Sequence, residues 1–573
     1  MENQLRVWLK PRADKIAISK KQGSSTHLGA ILRSTIKDPD AVIAARDGYL
    51  VPLSHIGTLI DTFNPDIHNW DPGLEAVGRM KQKIVQDQLS AKIEVAQALE
   101  APYDSLKDYE ETWRLDPHQV EAVAAMTVPS LVGMALFDEQ GAGKTVCALT
   151  TFHILRLRDI VSHLLVVAPK SVLSVWKDEI TKFFKNRYEV KTVVGKGTRP
   201  IDILQREVDI LLISYETAIR TYSILQGLIS TKGRDFMLVV DESYYIKNPI
   251  AQRSQAVAKL RQHCKRAYVL CGAPAPNSPS DIVHQMDVAD AGSTFSGVSI
   301  PDDKDSAASV VQIALGLSAI YLRRLKEEVL PELPAKSIKR TFVQLQPIQA
   351  TIYEDAVKEL IVDVRQVEDI YFPKHLNEFM ARKWALLQIC SNPVGLDPMY
   401  TEVPAKLLAI DQIVEKIVKE QGHKIIIWSF FRHSLQAIFD RYKYLGAVRI
   451  DGSIDSLDER HLSIHRFQED PSTKVFVGNP AAAGAGITLT AASNAIYESF
   501  SNQPAHYLQS VDRIHRRGQQ NPVASYVLLS QQTIEGREFN RFLEKERRGH
   551  DIFSKRPADP ITKEGFLKDL LVP

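Results

Sequence analysis

The sequence predicts an α/β protein: two parallel-sheet lobes with helical insertions, preceded by a small N-terminal α+β domain. Three observations carry this reading. From Leu115 onward, short apolar runs alternate with longer amphipathic ones, as in a parallel sheet covered by helices. A mostly helical stretch, 281–400, interrupts the alternation, which resumes near Lys406. Polar clusters stand at the carboxyl ends of the apolar runs, where open α/β sheets gather ligands.

At 573 residues the chain exceeds one core, and roughly three or four domains are expected. A hydrophobic content of 44% and a charged content of 24% are those of an ordinary globular protein. The net charge of +2 excludes a global basic field, so any nucleic-acid contact rests on local patches. Cys147, Cys264, Cys271 and Cys390 form no CxxC pair, which suggests neither a zinc site nor a disulfide framework and fits a reducing intracellular compartment. Met1 to Lys21 is polar, without a secretory apolar core, and no run reaches the roughly 18 apolar residues of a membrane span.

Residues 1–100 read as a separate accessory unit. Leu5 to Leu9 and Lys15 to Ser19 have strand character, and Arg46-Asp47-Gly48 is a hairpin signal between Ala41 to Ala45 and Tyr49 to Leu53. Ser54 is placed to cap a short helix, and a longer one fills much of 73–99. Residues 101–310 form the first lobe. Asp116 and Pro117 open a helix, Leu131 to Phe137 is a buried strand, and Val146 to Ile160 a helix. Leu164 to Ala168, Asp209 to Ile213, Phe236 to Val240 and Ala267 to Cys271 are further strands. Residues 311–405 read as linker and helical insertion, with Tyr321 to Lys326 a basic run leading to Leu333-Pro334. Residues 406–535 form the second lobe, with strands at Lys424 to Trp428, Val448 to Ile450, Lys474 to Val477, Ala495 to Tyr497 and Ser525 to Leu529. Residues 536–573 are a helical tail.

The chemistry centres on Asp138-Glu139-Gln140-Gly141-Ala142-Gly143-Lys144-Thr145, between a strand and a helix. Glycines let backbone N–H groups approach phosphate oxygens, and the helix start adds partial positive charge. Lys144 can reach β- and γ-phosphates and Thr145 can offer its hydroxyl to Mg²⁺. The first glycine of the looser GxxxxGK[ST] pattern is absent. Asp241-Glu242, after an apolar strand, supplies a metal-holding carboxylate and a second one to orient or deprotonate water. In the second lobe Arg513 and Arg516 are spaced to share a helix face, and arginines so placed stabilise charge on a transferring phosphate.

Assembled in this order, these motifs resemble superfamily-two helicase-like ATPases, and within them the Swi/Snf family of double-stranded DNA translocases, whose lobes are RecA-like. The resemblance covers roughly residues 110–545. It rests on Asp138 to Thr145, Asp241-Glu242 with Ile246-Lys247-Asn248, Leu322-Arg323-Arg324 with Lys326, Leu386 to Pro393, Ile450 to Ser453, and Asp512 to Arg516 with Gly518-Gln519. It implies that Gln119 reads the adenine edge and that Gly141, Gly143, Lys144 and Thr145 bind nucleotide. It implies that Thr145 and Asp241 hold Mg²⁺ and that Glu242 serves water. Gly484, Gly486, Gln509, Arg513 and Arg516 would close from the second lobe. Lys170, Ser171, Ser214, Tyr215, Ser453 and Thr488 fall in motifs that track the DNA backbone.

Some positions depart from the family pattern: Tyr244 for His, Cys271 and Ala273 for two threonines, Arg517 for Ile, Ala142 and Ala485 for Leu, and Leu387, Ser391 and Asn392 within the 386–393 motif. None removes a core ATPase residue. The resemblance implies an ATP- and Mg²⁺-dependent translocase acting on double-stranded DNA; a monomer is expected, intracellular and DNA-associated, in the cytoplasm of a prokaryotic or virus-infected cell rather than in a nucleus. A nucleotide-gated DNA clamp that hydrolyses ATP without moving, and an annealing or fork-remodelling helicase, stand as alternatives. The last draws on Tyr49 to Ser54, which resemble modules placed before such motors.

Overall fold

The computed structural model describes residues 5–9, 15–20, 26–36, 41–46, 48–52, 55–193, 208–231, 235–275, 278–301, 303–454, 457–483, 487–501, 504–550 and 562–571. The chain divides into two compact units, with the break between Leu325 and Lys326.

The first unit opens with a five-stranded sheet: β1 (Leu5–Leu9), β2 (Lys15–Lys20), β3 (Ile43–Ala45), β4 (Gly48–Pro52) and β5 (Asn69–Trp70). Their order is β3-β4-β2-β1-β5, antiparallel except for the last pair. The hairpin read at Arg46 to Gly48 is the β3–β4 pair; Asp47, like Ser54, lies outside the described residues. Val7, Ile16, Ile18, Leu32, Val51 and Leu59 close the core, and Trp70 donates its indole N–H to the Phe63 carbonyl at 2.8 Å. A helix, Pro72–Glu100, follows, with Asp71 accepting from the Leu74 N–H at its start. Its Gln88 side chain is buried and donates to the Gly133 carbonyl, 3.0 Å away, which ties the helix to the next sheet.

That sheet has seven parallel strands: β6 (Gly133–Leu136), β7 (His163–Ala168), β8 (Val190–Val193), β9 (Ile210–Ser214), β10 (Phe236–Asp241), β11 (Arg266–Leu270) and β12 (Tyr321–Leu322), in the order β12-β6-β11-β10-β7-β9-β8. β6, β9, β10 and β11 are buried at every position, so they read as continuous apolar runs rather than alternating ones. β12 corrects the sequence reading. The basic run from Tyr321, read as leading into a linker, begins as a strand paired with β6 before the chain reaches the break after Leu325.

The second unit carries six parallel strands: β13 (Lys336–Val343), β14 (Lys424–Trp428), β15 (Val448–Ile450), β16 (Val475–Gly478), β17 (Ala492–Tyr497) and β18 (Val523–Ser530), in the order β13-β18-β17-β14-β16-β15. Along β14, Ile426 and Trp428 enter one core while Ile425 and Ile427 enter the other, so both faces are covered. β13 also departs from the helical reading of 281–400, because its polar sequence hides a strand. The helices Pro347–Gln366 and Phe372–Ser391 form the insertion. The tail folds back onto it, with Phe566 packed on Phe372 and Phe379. Among the described residues no helix is long and apolar enough to cross a membrane.

Candidate nucleotide site

The loop expected to hold phosphate joins β6 to the helix Lys144–Leu157. Gly141 and Gly143 both have left-handed backbones, φ +88° and +83°. The left-handed backbone at Gly143 favours glycine, and a Cβ there would lie 2.2 Å from Gln119 Nε2, which shows how closely that side chain packs on the loop. The Lys144 ammonium donates to the carbonyls of Asp138 (2.7 Å) and Glu139 (3.2 Å), which sets its positive charge at the loop. Thr145 is the second residue of the helix.

Gln119 lies against this loop, on the helix Pro117–Met126. Its Oε1 accepts from the Asp116 N–H (3.1 Å) and its Nε2 donates to the Ala142 carbonyl (3.3 Å). His118 Nε2 lies 2.9 Å from the same carbonyl. Gln119 thus caps its own helix and buttresses the loop.

The acidic pair sits at the carboxyl end of β10. Asp241 is buried; Oδ2 accepts from Trp176 Nε1 and Oδ1 from the Glu242 N–H, both at 2.8 Å. Glu242 has a left-handed backbone at φ +50°, a costly conformation for a side-chain-bearing residue and one that collects at functional sites. Its Oε1 accepts from Gln140 Nε2 at 3.3 Å, so the loop and the acidic pair meet through one hydrogen bond. A glycine cradle, an ammonium, a helix start and a fixed carboxylate pair together form the donor set that a nucleotide triphosphate with Mg²⁺ requires.

Two arginines that the sequence left in a linker belong to this site. Arg323 follows β12 and donates to the Phe137 (3.0 Å) and Gly272 (3.4 Å) carbonyls; burial pulls its pKa down. Arg324 grips Asp138, the first residue of the loop. Its backbone N–H and Nε reach Oδ1 at 3.0 and 3.1 Å, and Nη2 reaches Oδ2 at 2.5 Å. Its Nη1 also meets the His118 carbonyl (2.6 Å) and Glu121 (2.9 Å). The available signal was a pair of arginines directly after the apolar run Ala319 to Leu322.

At the departures, Cys271 is buried and its thiol is pushed up to about 12 by that burial, which leaves it unreactive. A Cβ at Gly272 would lie 2.4 Å from Gln140 Cγ, so this turn packs on the phosphate loop. Burial also raises the Tyr244 phenol.

The expected DNA-tracking residues divide. Lys170 and Ser453 are exposed, and Ser171 and Thr488 half-buried. Ser214 and Tyr215 are buried, and their side chains are engaged inside the fold. Ser214 caps a helix through the Thr217 N–H (3.2 Å). The Tyr215 hydroxyl donates to the Asp241 carbonyl at 2.7 Å and its ring stacks on Tyr245, so it braces the acidic turn from inside the core.

In the second unit Arg513 and Arg516 are not on a helix, because the preceding helix stops at Val511. They still converge: both donate to the Ile487 carbonyl (3.3 and 3.4 Å), and Arg516 reaches Thr488 Oγ1 at 2.9 Å. Arg513 Nε also donates to the carbonyl of the buried Gln509, at 2.9 Å. Lys326 fixes the same segment, pairing with Asp512 and donating to the His515 carbonyl at 3.1 Å. Gly484 and Gly486 lie outside the described residues.

The chain is similar to known proteins. The model of the SNF2-related domain matches residues 79–394, and that of the helicase conserved C-terminal domain residues 405–518. The human DNA annealing helicase and endonuclease ZRANB3 is 26% identical over 70% of this chain and 36% of its own length. A Caenorhabditis elegans homologue of the SWI/SNF-related matrix-associated actin-dependent regulator of chromatin subfamily A-like protein 1 is 27% identical over 75% of this chain and 61% of its own. The chain thus spans little more than a third of the human relative. The solved Sulfolobus solfataricus SWI2/SNF2 ATPase core in complex with dsDNA aligns at 25% identity over 76% of this chain and 92% of that one, with a TM-score of 0.36.

Proposed function

The chain belongs to the SNF2-related family of helicase-type ATPases, and we propose that it spends ATP on moving along double-stranded DNA, remodelling DNA or protein–DNA complexes without separating the strands. The observation that carries the reading is the joined phosphate loop and acidic pair, Lys144 and Gln140 on one side and Asp241 and Glu242 on the other, at the carboxyl end of one parallel sheet. In this reading the backbone between Gly141 and Thr145 cradles the phosphates and Lys144 neutralises the β- and γ-oxygens. Thr145 and Asp241 would hold Mg²⁺, which would supply charge neutralisation at the phosphates. Glu242, aimed by its backbone and by Gln140, positions the attacking water. Gln119, beside the loop, would read the adenine edge. Arg513 and Arg516, held as a pair on the Ile487 carbonyl, are suited to charge developing on a transferring phosphate.

Lys170, Ser171, Ser453 and Thr488 are the candidates for contacts along the phosphate backbone; such contacts carry no base information and therefore suit a motor. The test is ATP hydrolysis with duplex, single-stranded DNA and RNA, followed by displacement of a triplex-forming strand. Duplex should stimulate most, independently of sequence and less so at high salt, and the third strand should be released only with ATP. Robust unwinding of a simple fork would move the protein to the strand-separating class.

One observation favours the clamp as a second reading. The Cys271-Gly272-Ala273 turn packs on Gln140 yet offers no side-chain hydroxyl to link loop and DNA. Duplex-stimulated hydrolysis without triplex displacement would select it. Strand annealing of protein-coated single strands would instead select the annealing helicase.

A further inference from the structure

β13 closes one edge of the second unit's sheet and pairs along all 8 residues with β18. An edge strand presents a row of unpaired N–H and C=O groups, and proteins blunt such edges by shortness, proline or cover. The other described sheet edges are blunted. β5 and β12 have 2 residues, β3 and β15 have 3, and β8 has 4 with no exposed position. β13 has no proline, and Lys336 to Arg340 are all exposed. Its outer surface keeps Ile338 and Phe342 in solvent, at 45% and 57% exposure.

The ladder fixes which backbone groups are spare. The Val523 N–H donates to the Ala335 carbonyl and the Gln531 N–H to the Val343 carbonyl, so the odd-numbered positions face β18. Alternate residues of a parallel strand point their backbone groups in opposite directions. The N–H and C=O groups of Lys336, Ile338, Arg340 and Phe342 therefore point away from the sheet. Around them stand three cations and no carboxylate of the strand itself. Lys339 lies over the Tyr526 ring of β18 and Arg340 over Phe539 with a hydrogen bond to Asn540, which fixes the position of both charges. Those charges repel a second copy of β13. They complement an acidic strand.

We propose that the outer edge of β13 is a docking strand for an extended acidic segment of a partner protein, which adds to the sheet through the backbone groups of Lys336, Ile338, Arg340 and Phe342. Ile338 and Phe342 would receive apolar side chains on their face of the added strand, flanked there by Lys336 and Arg340, and Lys339 would meet carboxylates on the opposite face. This surface is independent of the nucleotide site.

The probe is a fluorescein-labelled peptide alternating glutamate with valine, titrated into the full chain by anisotropy, with duplex DNA as a competitor. Saturable binding that weakens with salt is expected. Lys336→Glu with Lys339→Glu should weaken it about tenfold or more, as charge reversal at an interface does. Ile338→Pro removes one outward N–H and keeps every cation and every β18 hydrogen bond; it should weaken binding to a similar degree, whereas Ile338→Ala should cost less. Amide exchange gives a second readout on the unaltered chain: the N–H groups of Ile338, Arg340 and Phe342 should slow on binding, while those of Ser337, Lys339 and Thr341 are slow throughout. No saturation at about 1 mM peptide, the limit of weak recognition, would overturn the proposal. So would binding that leaves the outward amides fast. Displacement by duplex DNA together with an Ile338→Pro variant of parental affinity would reassign the edge to nucleic acid and equally overturn it.

Discussion

Replacing Arg324 by methionine should destabilise the first unit by about 3 kcal/mol, the lower end of the roughly 3–5 kcal/mol for breaking a buried ion pair. The figure follows from the geometry. The Asp138 side chain is fully buried, while that of Arg324 keeps 15% of its surface in solvent, which moves the estimate to the low end. Methionine keeps the apolar stem and the backbone N–H bond to Oδ1, but removes both guanidinium bonds to the carboxylate and the bonds to Glu121 and the His118 carbonyl. A charge is left in the core with one of its three hydrogen bonds. At roughly 1.5 °C per kcal/mol for a unit of about 325 residues, with an unfolding entropy of about 2.1 cal/mol/K per residue, the first melting transition should fall by roughly 4–5 °C. Scanning calorimetry of parent and variant measures this. The Asp138→Asn/Arg324→Met double variant should recover much of the loss, because a neutral amide is cheaper to bury than an unpaired carboxylate. Since the Asp138 carbonyl holds Lys144, the single variant should also raise the KM for ATP. A parental melting temperature, or a double variant no better than the single one, would refute the argument: the pair would then contribute nothing beyond its parts.

Other perturbations separate the roles proposed for the site. Lys144→Ala and Glu242→Gln should each lower steady-state ATP hydrolysis by roughly a hundredfold or more, in line with positioned acid–base groups; near-normal rates in both would remove the assignment. Arg516→Ala should bind ATP with parental affinity in a fluorescent-nucleotide titration yet turn over on the order of 10³-fold more slowly; unchanged turnover would make it a surface residue. Asp287 gives a pH signature. Burial, with the like charge of Asp290, raises its carboxyl from 3.8 to about 7 against the opposing pull of Lys81. A carboxyl raised on folding holds its proton where the unfolded chain has lost it, so its contribution to stability falls as pH rises between about 4 and 7. Asp287→Asn should flatten that slope and melt higher than the parent at pH 8; parallel pH profiles would show that Asp287 ionises freely in the fold.

Much of the architecture is local and was legible in the sequence. The runs Phe236 to Val240 and Lys424 to Trp428 are apolar throughout because both faces of a parallel strand are covered, so composition alone marks them as strands. The phosphate loop is equally local: glycines at two left-handed positions, a Lys-Thr pair and a helix start are contiguous, and each has a chemical reason to be there. The Asp-Glu pair at a strand end follows the same logic.

Only the tertiary structure decided where the intervening charges went. Arg324 finds Asp138 across 186 residues, and Lys326 finds Asp512 across another 186, and neither partner has a signal in the local pattern. Tyr215 stands in a motif expected at a surface, but its hydroxyl is consumed by the Asp241 carbonyl inside the core. Arg513 and Arg516 share one acceptor without a helix between them, because the Ile487 carbonyl, rather than helical period, brings them together. β13 was invisible for the same reason: an exposed edge strand needs no apolar face, and what makes it a strand is its hydrogen-bonded neighbour β18, nearly two hundred residues away in the chain. Periodicity records which side of an element is buried; it does not record which distant group satisfies a hydrogen bond or a charge, and that choice is made only when the elements pack.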